Sequence, residues 1–279
     1  MSKKQHDRAA IILAAGKSTR MMTDRPKVLH EVCGRPMLSY ILDACRANGV
    51  GRILVVVGYQ KERLIDHYVG QNDLVWVEQG EQLGTGHAVQ VCQDALADFE
   101  GTVLVVAGDM PLVRPETMTR LLEAHESFGA AATIATTILD DPTGYGRIVR
   151  DAEGRLLAIV EHRDCTAEQL NIRECNPSYY AFDKASLFDA LARTDNENAK
   201  GEYYITDAVR ILNESGRQVQ ALEAINADEA TGINSRQDLA LVSRMMQDRI
   251  QAEFMERGVT IVDPASTWID ARAQIAKDV

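Results

Sequence analysis

Four cations, Lys17, Arg20, Arg25 and Lys27, crowd the stretch after Gly16 in a chain whose formal net charge is -11. A basic loop in an acidic protein is a place for an anion. The segment in front of it, apolar over residues 9–13, ends in Ala14, Ala15 and Gly16, which leave the backbone bare for the close approach of a ligand. Phosphate is the anion such a loop suits. Three familiar motifs are excluded: a P-loop would need glycine where Ile11 stands, a dinucleotide fingerprint fails at Ser18 and Met21, and a nucleophile elbow fails at Arg20. Taken alone, the stretch fits an ordinary strand-to-helix turn with solvated charges equally well.

A carboxylate complements the loop. Asp109 follows the apolar run 102–107 through Gly108, and an acid at a strand end beside phosphate is well placed for magnesium. That ion keeps one or two carboxylates and fills its shell from phosphates and water. Asp109 would serve equally as a cap or as part of the turn with Met110 and Pro111. No other metal or nucleophile pattern competes. The histidines lack metal spacing, and Cys33, Cys45, Cys92, Cys165 and Cys175 are odd in number and widely spaced. Reduced, buried thiols are therefore expected.

The elements that must position these residues alternate. Strands are expected at 9–13, 52–57, 74–77, 102–107 and 131–139, and helices at 36–48, 60–68, 87–99 and 115–126. The first helix has Pro36 near its start, Gly49 past its end, and Met37, Ile41, Leu42 and Cys45 at helical spacing. Strands apolar on both faces imply a doubly wound, mostly parallel α/β sheet of Rossmann-like type, with ligands at the carboxyl ends of the strands. That rule gathers loops 16–27 and 79–86 and Asp109 into one site. Beyond Asp140 the pattern turns antiparallel: a hairpin of 147–150 with 156–161, a strand at 176–182, a helix at 184–193, and another opened by 201–207.

With 279 residues, 46% hydrophobic and 25% charged, the chain can hold one large α/β domain and an appendage. A pI near 5.1 argues against nucleic-acid binding and for a small nucleotide partner. No stretch reads as a signal peptide or membrane span, so the cytoplasm is the expected compartment. Residues 235–257 read as a long helix, opened by Ser235 with Asp238 and closed by Gly258, with Leu239, Val242, Met246, Ile250 and Phe254 on one side. Ile269 and Ile275, and Ala273 and Val279, then stand six apart, as in the start of a hexapeptide-repeat, left-handed parallel β-helix. Such repeats need about three or more stacked units. The expected division is 1–234 for the main domain, 235–257 for a linker helix and 258–279 for a truncated β-helix stub, through which copies of the chain could associate.

L-A-A-G-K-S-T-R-M at 13–21, P-K-V-L at 26–29, E-Q-L-G-T-G-H-A at 81–88, D-D-P-T-G-Y-G-R at 140–147, V-E-H at 160–162 and G-E-Y-Y-I-T-D at 201–207 are motifs of one family. On them the chain resembles, over essentially its whole length, the bacterial UDP-N-acetylglucosamine pyrophosphorylases. These are the uridylyltransferase half of bifunctional enzymes whose other half, an acetyltransferase, is not expected within these residues. The resemblance implies a magnesium-dependent transfer of UMP from UTP to a sugar 1-phosphate without a protein nucleophile. It assigns Leu13, Ala14, Ala15, Gly16, Lys27, Gln79, Gly84, Thr85 and Gly108 to the nucleotide, Arg20 and Lys27 to phosphates, and Asp109 and Asn234 to magnesium. Gly144, Glu161 and Asn176 are assigned to the sugar. Departures from the family pattern are Ser18 and Ala107, and Asn176-Pro177-Ser178 in place of N-[ST]-G, which bears on the sugar. The alternatives are transfer to another sugar 1-phosphate, of the glucose 1-phosphate type, or a non-catalytic nucleotide-sugar sensor.

Overall fold

The structure is a computed structural model that describes residues 7–17 and 19–279; the polar start at 1–6 and Ser18 lie outside the described residues. The chain opens with β1 (Arg8–Leu13), a hairpin of β2 (Glu31–Val32) and β3 (Arg35–Pro36), α1 (Met37–Ala47) and β4 (Arg52–Val57). Next come α2 (Lys61–His67), β5 (Leu74–Glu78), α3 (Thr85–Gln90), β6 (Thr102–Ala107), α4 (Pro115–Phe128) and β7 (Ala132–Ile138). The hairpin β8 (Gly146–Arg150) and β9 (Leu156–Val160) leads to β10 (Glu174–Asp183), α5 (Lys184–Leu191), α6 (Ile205–Glu214), β11 (Val219–Glu223) and α7 (Arg236–Glu256).

The main sheet runs β11-β7-β10-β6-β1-β4-β5, with β8 and β9 branching from β10. β1 lies parallel to both β4 and β6, and β10 is inserted antiparallel between β6 and β7. Alternation along β1 sends Ile11 to one face and Ala10 and Ile12 to the other. Ile11 packs with Leu54, Val105 and Phe182, while Ile12 packs with Val55 and Val106 among residues of α1 and α4. Helices thus cover both faces, which is why the central strands are apolar throughout. The chain departs from β1 first to β4 and then, on the other side, to β6. This makes a switch point where the carboxyl ends of the strands leave a crevice.

Three differences from the sequence reading have physical causes. The helix expected over 87–99 ends at Gln90 and continues as tighter turns, including a 3₁₀ segment at Asp94–Leu96. Three-residue hydrogen bonds such as Cys92 N to Val89 O and Leu96 N to Gln93 O keep Val89, Cys92, Leu96 and Phe99 in the core. Strand β11 has no counterpart in the sequence reading: it is a short edge strand whose half-exposed residues carry no continuous apolar signal. Third, no strand occurs after α7 among the described residues, so the start of a β-helix is not seen. A lone coil has no neighbour to pair with. The segment is strapped to α7 and to itself by Ile269 N donating to Gln247 Oε1 (2.7 Å), Gln251 Nε2 to Thr267 O (2.7 Å) and Thr260 N to Val279 O (2.8 Å).

Helix α7 is opened by a capping box between Ser235 and Asp238, as its sequence indicates. Its buried Val242, Met246, Ile250 and Phe254 pack with Met21, Met37, Leu112 and Ile233, against the base of the basic loop. Among the described residues no helix is long and apolar enough to cross a membrane.

Candidate active site

The ends of β1 and β6 meet through small residues. Gly108 N donates to Leu13 O at 2.9 Å, and a Cβ at Gly108 would lie 2.9 Å from that same oxygen, so only glycine permits the approach. Ala14 N donates to Val56 O, which draws the bare stretch toward β4. The result is a cleft of about 320 Å³ walled by backbone at Leu13, Ala14, Ala15 and Gly16 and by Gln79, Gly84 and Thr85, with Lys27 and Asp109 at one end. These residues belong to the nucleotide, phosphate and magnesium sets expected from sequence, and the structure brings them together.

At the charged end, the Lys27 ammonium donates to Asp109 Oδ2 and, at 3.1 Å, to Asn234 Oδ1; Arg20 Nη2 donates to the same Asn234 oxygen at 3.0 Å. Asn234 is held there by the cap of α7, its N–H donating to Asp238 Oδ2 at 2.8 Å, and by Ile233 N donating to Asp109 O at 3.0 Å. Residues from the start, middle and end of the chain thus converge. The other two cations of the loop are otherwise engaged: Lys17 lies over the Tyr59 ring (5.2 Å to its centre) and Arg25 pairs with Glu31. Two hard oxygens already facing one cation fit a divalent ion. Among the described residues no group of three or more His, Cys, Asp and Glu could hold a metal. A metal bound by Asp109 and Asn234 would therefore complete its shell with water and phosphate oxygens, as magnesium does.

At the far end Gln79 is buried, its amide donating to Gly84 O at 3.1 Å and lying 3.1 Å from His87 Nδ1. Gly84 is required twice over, by φ of +116° and because a Cβ would sit 2.4 Å from Tyr203 O. Thr85 Oγ1 accepts from Ile205 N at 3.2 Å, which presses the 84–86 turn onto residues 202–205. Gln82, Ser178 and Glu202 also line the cleft and are absent from the set expected from sequence. Gln82 donates to Ala15 O at 2.6 Å and ties the two nucleotide loops together. Its place inside E-Q-L-G-T was the available signal.

The residues assigned to the sugar are distributed differently. Glu161 lines a neighbouring cavity of about 310 Å³ with Asp164, Tyr204, Thr206 and Asp207, and accepts from Thr206 Oγ1 at 3.2 Å. Burial raises its carboxyl, and that of Asp207, above the ordinary values. Asn176 is buried, with Nδ2 donating to Tyr180 Oη at 2.6 Å and Oδ1 accepting from Ser178 N at 3.1 Å. It sits in a bulge of β10 between Cys175 and Tyr179, where Ser178 takes the left-handed φ of +66°. Gly144 is exposed on the turn before β8, with nothing near a Cβ built there. The glycine opposite Asn176 in the ladder is Gly146, whose Cβ would lie 3.6 Å from that of Asn176. Both glycines belong to T-G-Y-G, and only strand register tells them apart.

The chain is 46% identical over 98% of its length to the bifunctional protein GlmU of Geobacter metallireducens, covering 57% of that protein. It is 46% identical over 97% of its length to the GlmU of Geobacillus thermodenitrificans and 44% over 97% to that of Listeria monocytogenes, covering 59% of each. The chain therefore spans less than two thirds of these curated relatives. A crystal structure of UDP-glucose pyrophosphorylase complexed with UDP-glucose shares the fold, with a TM-score of 0.72 at 19% identity over 87% of this chain and 99% of that one. Residues 10–208, from β1 into the start of α6, match the MobA-like NTP transferase domain, and it is to this family that the chain belongs.

Proposed function

We propose that the chain transfers the uridylyl group of UTP to N-acetylglucosamine 1-phosphate, releasing UDP-N-acetylglucosamine and pyrophosphate. The observation that carries this reading is the convergence of Arg20, Lys27, Asp109 and Asn234 at the end of a backbone-lined cleft. A sensor of nucleotide sugars would have no need to hold a leaving pyrophosphate. An oxygen of the sugar phosphate forms a bond to the α-phosphorus of UTP in line, while the bond to the β-phosphate bridge breaks and its electron pair leaves with pyrophosphate. No protein nucleophile is required. Arg20 and Lys27 supply donors to the phosphate oxygens on which charge develops, and the backbone of 13–16 keeps those oxygens close. The Gln79 amide, with Gly84 and Thr85, gives uracil the donor and acceptor it needs.

Nucleotidyltransferases of this family generally use a divalent metal ion. We assign it as magnesium on Asp109 and Asn234, where it would neutralise phosphate charge when bound. For the sugar we assign Glu161, Asn176 and, in preference to Gly144, Gly146, because it faces Asn176 directly. Residues 1–234 then form the transferase domain, with 235–257 and 258–279 as the appended helix and its strap. The experiment is pyrophosphate release across a panel of nucleoside triphosphates and sugar 1-phosphates, with UTP and N-acetylglucosamine 1-phosphate expected to be the best pair. A preference for glucose 1-phosphate would move the chain to the related specificity, and no release from any pair would favour the sensor.

A further inference from the structure

Two motif residues have no part in the chemistry above, Arg147 of G-Y-G-R and His162 of V-E-H, and the fold brings them together. Arg147 is 1% exposed, on β8 between Val160 of β9 and Cys175 of β10. Its Nη1 donates to Tyr145 O, its Nη2 lies 3.3 Å from His162 Nδ1, and its Nε has no hydrogen-bond partner among the described residues. Among the described residues no carboxylate forms an ion pair with it. Burying a guanidinium without a counter-charge is costly, so the fold must gain from where this one holds its acceptors.

Those acceptors flank the sugar end. Tyr145 precedes Gly146, the residue facing Asn176, and His162 follows Glu161, which lines the neighbouring cavity. Tyr145 Oη also donates to Ala230 O at 2.8 Å, on the segment that leads to Asn234. The guanidinium therefore clips the start of β8 to the end of β9 behind the assigned sugar contacts. A guanidinium can only donate, so His162 Nδ1 must be the acceptor and the ring must be neutral, with its proton on Nε2. Protonation would replace that lone pair with an N–H aimed at another cation. The charged and titratable groups around the pair are Asp141 on the preceding turn, whose carboxyl is lowered by its hydrogen bonds from Thr143 and less by the field of Arg147, the thiols of Cys165 and Cys175, both in the field of Arg147, and Glu161 itself.

We propose that Arg147 and His162 are a proton-sensitive pair of positioning residues that hold the sugar 1-phosphate subsite in its binding shape while His162 is neutral. This rests on the uridylyltransferase reading above. The test is steady-state kinetics on the full chain across about pH 5 to 8, the span in which histidine changes charge. The KM for N-acetylglucosamine 1-phosphate and the KM for UTP are measured separately in wild type, Arg147→Met, His162→Ala and His162→Asn. Asparagine keeps an acceptor near the position of Nδ1 and does not titrate. Arg147→Met and His162→Ala should raise the sugar-phosphate KM by about tenfold or more while the UTP KM stays within about twofold. His162→Asn should stay near wild type at neutral pH and lack the part of the acid-side rise in sugar-phosphate KM that His162 causes. Because the sugar phosphate itself titrates, the comparison of wild type with His162→Asn is the one that counts. If Arg147→Met does not fold, the two His162 variants decide. Equal rises in both KM values, an unchanged sugar-phosphate KM, or an acid limb in His162→Asn identical to wild type would each overturn the pair's role while wild type stays active. A wild type that releases no pyrophosphate overturns both this and the uridylyltransferase reading.

Discussion

Ser178 offers the most direct test of how the wall of the cleft is built. It holds φ at +66°, a conformation that costs a non-glycine residue about 1–2 kcal/mol. It lies beside Asn176, whose amide donates to the buried Tyr180 hydroxyl and accepts from Ser178 N. Ser178→Gly removes the strain, keeps the backbone bond to Asn176 and adds unfolded-chain freedom worth about 0.4–1 kcal/mol. These terms cancel to within about 1 kcal/mol, so Tm should move by no more than about 2–4 °C in either direction. Ser178→Ala keeps both the strain and the backbone bond, and should stay within about 0.5 kcal/mol of wild type. Ser178→Val adds a branched side chain at positive φ and should cost about 2–3 kcal/mol. Thermal unfolding should therefore place Gly and Ala close to Ser, with Val clearly below them. In the same four proteins, kcat/KM for N-acetylglucosamine 1-phosphate relative to glucose 1-phosphate should change by less than about tenfold, or 1.4 kcal/mol, on going from Ser to Gly. A valine variant as stable as wild type would refute the strain argument. If Ser178→Gly inverts the sugar preference, the hydroxyl narrows the pocket and the assigned substrate is wrong.

Asp109→Ala should lower turnover by a factor on the order of a hundred or more and raise the magnesium concentration needed for what remains, with the fold intact by circular dichroism; full turnover of wild type in excess chelator would falsify the metal assignment. Arg20→Ala should lower kcat and kcat/KM together by about a hundredfold, as loss of a donor to developing charge does, whereas a change confined to KM would mean that Arg20 only helps binding. Glu161 has its carboxyl raised by burial, so the folded chain keeps a proton there that the unfolded chain releases first. The stability tied to this site is then fully present below the ordinary glutamate value of 4.5 and lost as pH rises through the raised one. Glu161→Gln should accordingly be more stable than wild type at neutral pH and flatten denaturant midpoints across that window; a midpoint that falls with pH as steeply as in wild type would show that another group is responsible.

The alternation of strands and helices, the bare backbone of 13–16, the loop of cations and the cap of α7 are all legible along the chain. Each depends on neighbours a few residues apart: apolar runs long enough to be buried, small residues where backbones must meet, and a Ser with an Asp three residues on. Expected strands at 52–57 and 102–107 coincide with β4 and β6 for this reason. Features that depend on pairing over distance are not legible in this way. Gly146 rather than Gly144 faces Asn176 because ladder register places it there, and a shift of one residue sends a side chain to the other face. The left-handed turn at Ser178 sits in a bulge against β7, at the place where β10 passes from pairing with β8 to pairing with β6. Gln82 meets Ala15, Arg147 meets His162, and Asn234 takes Arg20 and Lys27 on one oxygen, because the sheet carries distant loops to the same edge. Residue types and local spacing decided which groups were available for phosphate chemistry; only the tertiary pairing of strands decided which of them share a hydrogen bond, since that geometry depends on register across the sheet and not on distance along the chain.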